Sequence, residues 1–260
     1  TDAIISASAT ILSSTLAVPI ILQVRGRDPF PYGKAETVVL CKEGEARAII
    51  QIEDVFQYNL NKLSTKYFGT SNSDHPGVAR LLLGSSSFIS GKVSLLKTAL
   101  RRYKPYELTP AQSRLIFQHQ KWSRIVGFYA DNSLPNLIQE YQQFSTMENY
   151  DCDGLFIQTI IDSGNLDYLG NESILNVYQN LVENHYPVNK TLIGGFLNFP
   201  RHAGPREVVF HALCHKNFGC SHFIINNNHS CSNNVYTYLD TIKFFEEFGD
   251  IGIQPIFFKD

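Results

Sequence analysis

Histidine and cysteine side chains are concentrated in one stretch of this sequence. His211 and His215 are four residues apart and would lie one turn apart on a helix, with Cys214 beside them. Imidazole and thiolate are common zinc ligands, so a metal site is one interpretation, and packed or helix-capping histidines are the other. The spacing matches no zinc signature, so we assign no metal ligands. The other members of this stretch are His202, His222, His229, Cys220 and Cys231.

A glycine-bearing stretch, GSSSFISGKV at residues 84–93, is the second candidate for chemistry. A phosphate-binding loop spaces its two glycines five residues apart and follows its lysine with serine or threonine. Here Gly84 and Gly91 are seven apart, and Val93 follows the lysine. We therefore predict a turn between strands and no phosphate-binding loop.

The third candidate is a positive charge at the start of a predicted helix. Pro205 suits the first turn of a helix and Gly219 suits its end, so we predict a helix over residues 205–217. Arg206 in the first turn can hold an anion beside the free backbone N–H groups, or it can pair with a local carboxylate. The sequence leaves both roles open.

Alternating strand and helix patterns surround these residues. Apolar runs predict strands at 125–130, 155–161, 191–196, 222–225 and 253–258, with helices at 134–144, 173–183, 205–217 and 235–248. This order predicts right-handed crossovers and a doubly wound parallel sheet. Such sheets bind ligands beyond the carboxyl ends of their strands, so we expect function after Ala130, Phe196 and Ile225.

The first hundred residues have a different pattern. Short β-rich runs at 18–22, 37–40 and 48–52 are separated by turns, which predicts a small barrel-like β domain. Thr109, Pro110 and Gln112 form a helix-start pattern with a capping box. We therefore predict a β-rich domain at residues 1–105 and an α/β domain at residues 106–260. Serine, threonine and Pro19 interrupt the uncharged stretch 3–24, which favours a strand over a membrane-spanning helix.

The composition excludes several classes of protein. With 260 residues, of which 43% are hydrophobic and 18% charged, the chain can bury a core. Its 22 basic and 24 acidic residues give a net charge of −2, so we predict no nucleic-acid and no membrane partner. Five cysteines without CxxC spacing suit reduced thiols, which predicts the cytoplasm or an equivalent reducing compartment of an organelle.

The string HAGPREVVFHALCHKNFGCSHFI, from His202 to Ile224, resembles a segment of the ATP sulfurylases, the sulfate adenylyltransferases of sulfate assimilation. Further landmarks of that family resemble the segments at 18–20, 68–70, 75–78, 91–96, 107–111 and 253–258. The resemblance implies a PUA-like β-rich domain followed by a nucleotidyltransferase-like, Rossmann-like α/β domain. The family's downstream S-G-T-x-x-R element has no counterpart before Asp260, so the resemblance implies that the family's C-terminal portion is lacking.

The resemblance breaks at the first strand-to-helix junction of the α/β domain. The family reads roughly F-Q-T-R-N-P-x-H-x-x-H there, in which Gln and Arg hold sulfate and two histidines grip the ATP phosphates. This chain reads FYADNSLPNLI at residues 128–138. The retained residues are Phe128 and Asn132, and the replacements are Tyr129 for Gln, Asp131 for Arg, and Pro135 and Ile138 for the two histidines.

A second family motif, V-G-R-D-H-A-G, appears as INNNHSC at residues 225–231, where only His229 is identical and Asn227 is uncharged. The family reaction brings sulfate to the α-phosphate of ATP, so it requires positive charge. Replacing Arg by Asp131 turns an attraction of about 4 kcal/mol at ~4 Å into a repulsion of similar size, before solvent screening. Pro135 and Ile138 have no side-chain hydrogen to donate.

We therefore predict an ATP-sulfurylase-like pseudoenzyme that has lost sulfate adenylyltransferase activity and acts by binding or assembly. It has no predicted catalytic residues and no cofactor, and it is compatible with a protein partner, a larger complex or a homo-oligomer. The alternatives are a nucleotidyltransferase with an altered substrate, or residual formation of adenosine phosphosulfate, which alone would require ATP and magnesium. If a pocket persists, its predicted ligand-binding residues are Tyr129, Asp131, Asn132, Arg206, Asn227 and His229.

Overall fold

A computed structural model describes most of the chain. The described residues are 17–18, 21–24, 33–42, 44–96, 106–130, 134–161, 171–187, 189–198, 200–227 and 235–258. The chain divides into two compact units, Thr1–Arg102 and Tyr103–Asp260, close to the predicted boundary after residue 105.

The first unit contains an antiparallel sheet of three strands in the order β1-β2-β3. These strands are β1 (Thr37–Lys42), β2 (Glu45–Gln57) and β3 (Ser87–Leu95). The runs predicted at 37–40 and 48–52 are confirmed as parts of β1 and β2. Of the run predicted at 18–22, Ile21 and Leu22 lie outside any strand, and Gln23 forms an isolated bridge with Phe88.

The turn predicted at residues 84–93 is wrong for most of its length, because Ser87 onward belongs to β3. This stretch is therefore a paired strand, not the loop before a helix that binds phosphate. Gly91 permits the pairing, since a Cβ atom there would collide with the carbonyl oxygen of Gln51 on β2.

Two helices of this unit were absent from the sequence prediction: α1 (Leu60–Phe68) and α2 (Pro76–Leu82). Asn59 caps α1 by accepting a hydrogen bond from the backbone of Lys62 at 3.0 Å. His75 caps α2, where its Nδ1 accepts from the backbone of Val78 at 3.2 Å. Histidine is not among the usual N-cap residues, so the cap of α2 gives a weak sequence signal.

The second unit begins with α3 (Pro110–His119), whose start at Thr109 and Gln112 has the predicted capping box. All five strands and four helices predicted beyond it are present. They are β4 (Ile125–Ala130), α4 (Leu137–Asn149), β5 (Gly154–Ile161), α5 (Asn171–Asn184), β6 (Thr191–Leu197), α6 (Pro205–Phe218), β7 (His222–Ile225), α7 (Tyr238–Phe248) and β8 (Gln254–Phe257). Helices α4 and α7 start three residues later than predicted, because Asn136 and Thr237 are their N-caps.

The five strands form one parallel sheet in the order β6-β5-β4-β7-β8. The chain moves outward from β4 to β6 and then returns to place β7 on the other side of β4. This reversal creates a switch point between β4 and β7, where ligands of open α/β sheets bind. The carboxyl ends of these two strands therefore define the edge at which a site is expected.

The sheet has a different core on each face. On one face Phe128, Leu155 and Ile157 pack with Ile174 and Tyr178 of α5. On the other face the ring of Phe156 contacts the rings of three residues from α3 and α6, namely Phe117, His215 and Phe218. These contacts fix the central strands whose ends carry the candidate site.

The described residues contain no helix that is both long enough and apolar enough to cross a membrane. The strand expected within 3–24 falls largely outside the described residues. Cys41, Cys152, Cys214 and Cys220 are free cysteines, and Cys231 lies outside the described residues.

Asp153, just before β5, makes the stability of this unit depend on pH. Its Oδ2 accepts hydrogen bonds from the backbone N–H of Ser123 at 2.7 Å and of Arg124 at 2.9 Å, and from the Ser123 hydroxyl at 2.7 Å. These bonds lower the pKa of Asp153. The stabilisation is therefore complete above the unfolded-state pKa, near ~3.9, and is lost as pH falls through the lower folded-state pKa.

We expect Asp153→Asn to lower the free energy of unfolding at pH 7 and to reduce its loss on acidification below about pH 4. Urea denaturation between pH 2.5 and 7 measures both effects. Asp151→Asn, which removes the same charge two residues earlier, is the matched control. If the free energy of unfolding fell equally steeply below about pH 4 in the wild type and in Asp153→Asn, the stabilising role of the Asp153 carboxylate would be contradicted.

Candidate functional site

The structure describes three of the six predicted site residues. Tyr129 is the penultimate residue of β4, Arg206 lies in the first turn of α6, and Asn227 follows β7 with its Oδ1 buried. Tyr129 and Asn227 thus sit at the carboxyl ends of the two strands that flank the switch point. Asp131, Asn132 and His229 lie outside the described residues, and their roles stay predictions.

Tyr129 is held in a cluster at the carboxyl ends of β4 and β6. Its ring stacks on the ring of His211 from α6, with centroids 4.1 Å apart and an interplanar angle of 24°. The edge contact with Phe196 of β6 has a centroid distance of 6.2 Å. The Tyr129 hydroxyl accepts a hydrogen bond from Nδ2 of Asn198 at 3.2 Å.

Asn198 connects the cluster, and Arg201 fixes how its amide is oriented. Nη1 of Arg201 donates to Oδ1 of Asn198 at 3.1 Å. A guanidinium can only donate, so the amide oxygen must face Arg201 and the amide nitrogen must face the other partners. That nitrogen lies 3.1 Å from Nε2 of His211. Nε2 therefore accepts, which makes His211 a neutral imidazole with its proton on Nδ1.

The loop that carries Arg201 is tied to the start of α6 by one carboxylate. Oε1 of Glu207 accepts from the backbone N–H of Arg201 at 2.9 Å, and Oε2 accepts from that of Ala203 at 3.1 Å. Gly204 has φ +56° and ψ −128°, and a Cβ there would collide with the ring of Tyr236. These constraints explain the glycine and the glutamate of the Ala-Gly-Pro-Arg-Glu string in terms of local geometry.

The two arginines of this region each lie over an aromatic ring. The guanidinium carbon of Arg201 is 4.6 Å from the ring centroid of Phe210, and that of Arg206 is 5.1 Å from the centroid of Phe244 on α7. From the sequence, Arg206 was expected either to hold an anion or to pair with a local carboxylate, and the contact with Phe244 is neither of these. Arg201 brings a second positive charge to a region expected to have Arg206 alone.

The start of α4 lacks donors where the family resemblance places two histidines. Asn136 caps the helix by accepting from the backbone of Gln139 at 3.0 Å. Ile138 projects outward with 58% of its surface exposed. Neither Ile138 nor Pro135 can donate a side-chain hydrogen bond to a phosphate, so the donors at this turn are backbone N–H groups and the side-chain amide of Asn136.

Within the described part of the chain, the histidines and cysteines considered as metal ligands do not converge, and His229 and Cys231 lie outside it. Nε2 of His211 faces Asn198, and Nδ1 of His215 is 2.9 Å from the carbonyl oxygen of His211. Burial raises the pKa of the Cys214 thiol to about 11, which disfavours the thiolate that binds metal. Among the described residues, no group of three or more histidine, cysteine or acidic side chains could hold an ion.

Sequence reasoning missed Asn198 and Arg201 as members of the site. Both follow β6 closely, after Phe196, which is one of the three junctions at which function was expected. The available signal was therefore the position in the chain, since a buried asparagine just past the carboxyl end of a strand in a parallel sheet lies at the edge where ligands bind.

We expect Asn198→Ala to lower the free energy of unfolding by about 2 kcal/mol, because it removes a donor from a buried ring and an acceptor from a guanidinium. Tyr129→Phe, which removes one acceptor and keeps the stacked ring, should cost less than about 1 kcal/mol. Urea denaturation measures both variants. In the wild type, ¹⁵N NMR should show an unprotonated Nε2 at His211, and a protonated Nε2 at pH 7 would contradict the network.

Comparison with known proteins identifies relatives along both units. Residues 104–260 match the family model described as ATP-sulfurylase, and residues 7–98 match the model described as a PUA-like domain. The expected fold class, a PUA-like β-rich domain followed by a parallel-sheet nucleotidyltransferase-like α/β domain, is therefore confirmed.

Curated relatives carry the description sulfate adenylyltransferase. The Pyrococcus abyssi protein is 30% identical over 243 residues, which are 94% of this chain and 62% of that protein. The Symbiobacterium thermophilum protein is 31% identical over 245 residues, which are 93% of this chain and 62% of that protein. This chain thus spans about three fifths of the length of these relatives.

Among solved structures, one titled hexameric APS kinase from Thiobacillus denitrificans matches 99% of this chain and 45% of its own chain. Its TM-score is 0.66 at 18% sequence identity, so the match concerns the fold.

Proposed function

The chain belongs to the ATP-sulfurylase family, and from that premise we propose that it has lost sulfate adenylyltransferase activity and acts by binding or assembly. The observation that carries the proposal is the composition of the junction after β4. There the family positions that hold sulfate and ATP phosphates are occupied by Tyr129, Asp131, Pro135 and Ile138. None of these side chains supplies positive charge.

The environment of Tyr129 supports this proposal. Its ring is stacked on His211, and its hydroxyl accepts from Asn198. A sulfate ion that approached this position would meet an aromatic ring and at most one hydroxyl hydrogen, because the hydroxyl oxygen already accepts from an amide. The glutamine that the family has here would instead offer an amide N–H to the anion.

The charge at Asp131 supports it further. Formation of adenosine phosphosulfate requires sulfate oxygen to attack the α-phosphorus while pyrophosphate leaves, so negative charge must be offset on both anions. A carboxylate in place of a guanidinium opposes binding of the first anion. Loss of a single donor of this kind typically reduces rates by about 10²- to 10³-fold.

A second candidate function is nucleotidyl transfer to a less anionic substrate. The observation that favours it is the presence of Arg201 and Arg206, since a loop and a helix start that carry two cations suit a phosphate. The proposed cellular location is a reducing compartment, the cytoplasm or its equivalent in an organelle. The free thiols of Cys41, Cys152, Cys214 and Cys220 support this proposal.

We expect no sulfate-dependent phosphate release when the protein is mixed with ATP, magnesium, sulfate and pyrophosphatase. The Symbiobacterium thermophilum relative serves as the positive control. The quadruple variant Tyr129→Gln, Asp131→Arg, Pro135→His and Ile138→His should show measurable binding of sulfate or ATP by calorimetry at about 100 µM protein, where we expect none for the wild type, because it restores charge and donors. Asp131→Asn, which only removes the repulsion, should show a smaller gain. Sulfate-dependent release by the wild type would overturn the proposal.

Calorimetry on the wild type distinguishes the second candidate. We expect no measurable binding of ATP at protein concentrations of about 100 µM, since the positions that grip phosphates in the family lack donors. Binding of ATP that Arg201→Gln weakens, without sulfate-dependent release, would favour nucleotidyl transfer to another substrate.

A further inference from the structure

A cavity of about 280 Å³ lies near the amino ends of β4 and β6, at the edge of the sheet opposite to the candidate site. Of the residues that line it, Trp122 comes three residues before β4 and Thr191 begins β6. Ligand pockets in proteins typically have volumes of about 300–1,000 Å³. The cavity is therefore at the lower end of this range and suits a small molecule.

Two helices end at this cavity. Ile116 and Gln120 belong to the last turn and the C-cap of α3, and Val182 and Glu183 belong to the last turn of α5. The C-terminus of a helix carries partial negative charge, because its last carbonyl oxygens lack N–H partners within the helix. Both helix ends therefore favour a cation in the cavity.

The end of α5 has no basic side chain of its own to offset this charge. Its last turn contains no basic residue, whereas Glu183 adds a carboxylate of the same sign. In a continued helix the backbone N–H of residue 187 would reach the carbonyl oxygen of Glu183, but that residue is Pro187 and has no N–H. Oε1 of Glu183 accepts from Nε2 of Gln179 at 2.9 Å, which occupies one of the two carboxylate oxygens.

The charges around the cavity point in the same direction. Within the described residues, the lining contains one charged side chain, that of Glu183. The basic and histidine residues nearest to the lining along the chain are exposed and do not line the cavity, namely His119, Lys121, His185 and Lys190. The lining therefore offers negative charge to a ligand and no positive charge.

A buried hydroxyl is an independent indication of a ligand. Oγ1 of Thr191 is buried and has no hydrogen-bond partner in the part of the chain that the structure describes. A buried polar atom without a partner costs free energy, so native proteins leave few of them. Because Thr191 lines the cavity, a donor bound there could satisfy this oxygen.

The rest of the wall is mostly apolar. Its apolar members are Ile116, Trp122, Val182, Pro187 and Leu192. The Trp122 ring stacks on Phe117 with centroids 5.6 Å apart, and a Cβ atom at Gly154 would collide with the same ring. The indole is therefore held in place, and these side chains offer a fixed surface to a hydrocarbon group.

We propose that this cavity binds an alkylammonium ion. The ammonium lies beside the carboxylate of Glu183 and the hydroxyl of Thr191, and the hydrocarbon chain lies against the apolar wall. An ammonium donates three hydrogen bonds and carries the charge that the two helix ends favour. The volume suits a short chain, which is either a free amine or the end of a lysine side chain. The proposal does not depend on the loss of sulfurylase activity, because the cavity lies at the other edge of the sheet.

Titration of the full chain with butylammonium chloride tests the proposal. Trp122 is the single tryptophan of the chain, so its indole N–H gives one resonance in a ¹H–¹⁵N spectrum. We expect a saturable shift of this resonance with a dissociation constant below about 10 mM. Butanol, the neutral analogue, should bind at least about 5-fold more weakly, because it lacks the charge. Sodium chloride at equal ionic strength should give no saturable shift.

Two variants test the named contacts. Glu183→Gln keeps the shape of the side chain and removes its charge, so it should weaken butylammonium at least about 3-fold and leave butanol unchanged. The matched control is Glu148→Gln, the same change at the penultimate residue of α4, which does not line the cavity. Thr191→Val removes the buried hydroxyl, so it should weaken butylammonium without lowering the free energy of unfolding.

Three results would overturn the proposal. They are the absence of a saturable indole shift up to about 100 mM butylammonium, equal affinity for butylammonium and butanol, and unchanged affinity in both Glu183→Gln and Thr191→Val. Nα-acetyl-lysine methylamide distinguishes the two sources of the alkylammonium group. Tighter binding than that of butylammonium assigns the cavity to a lysine side chain of a partner, and weaker binding assigns it to a free amine.

Discussion

The side-chain amide of Asn198 holds the candidate site together. It joins the end of β6 to β4 through Tyr129, to α6 through His211, and to the following loop through Arg201. The guanidinium sets the direction of the amide, and the amide then sets the tautomer of the histidine. A buried polar network is stable only when all its members are satisfied, so these side chains constrain one another.

Glu207 supports the same arrangement from the helix. Its two oxygens accept from two backbone N–H groups of the loop before α6, and its charge lies at the positive end of the helix dipole. Gly204 and Pro205 allow the sharp entry that this contact requires. Local geometry thus explains Gly204, Pro205 and Glu207 of the string that resembles ATP sulfurylases most closely. A chain can therefore keep this string without keeping the chemistry of the family.

Much of the second unit could be predicted from its sequence, because the physical signals there are local. Each buried strand is a short apolar run, and caps such as Thr109 with Gln112 identify helix starts within a few residues. The first unit was harder. Gly91 suggested a turn, although its role is to permit close pairing of β2 and β3. The cap of α2 is a histidine, a residue type that rarely marks a helix start.

The site was predictable only in part, for a different reason. The sequence identifies which junctions face the ligand edge, but it does not show which side chains on separate elements meet. Tyr129, Asn198 and His211 come from β4, the end of β6 and α6, so their contact depends on strand order and on the rotation of a helix. Arg206 was correctly placed at a helix start, yet it lies over Phe244, a residue of α7 that nothing local to Arg206 indicates.

Helix α4 links the altered site to the outer surface of the protein. The end that would grip phosphates in the family carries isoleucine and leucine, while the inner face of the helix carries glutamines. The isoleucine at this position cannot donate a hydrogen bond to an anion, and its exposed side chain places apolar surface in water. Leu137 and Ile138 together give the first turns of α4 exposed apolar side chains at a position where the family resemblance places a histidine.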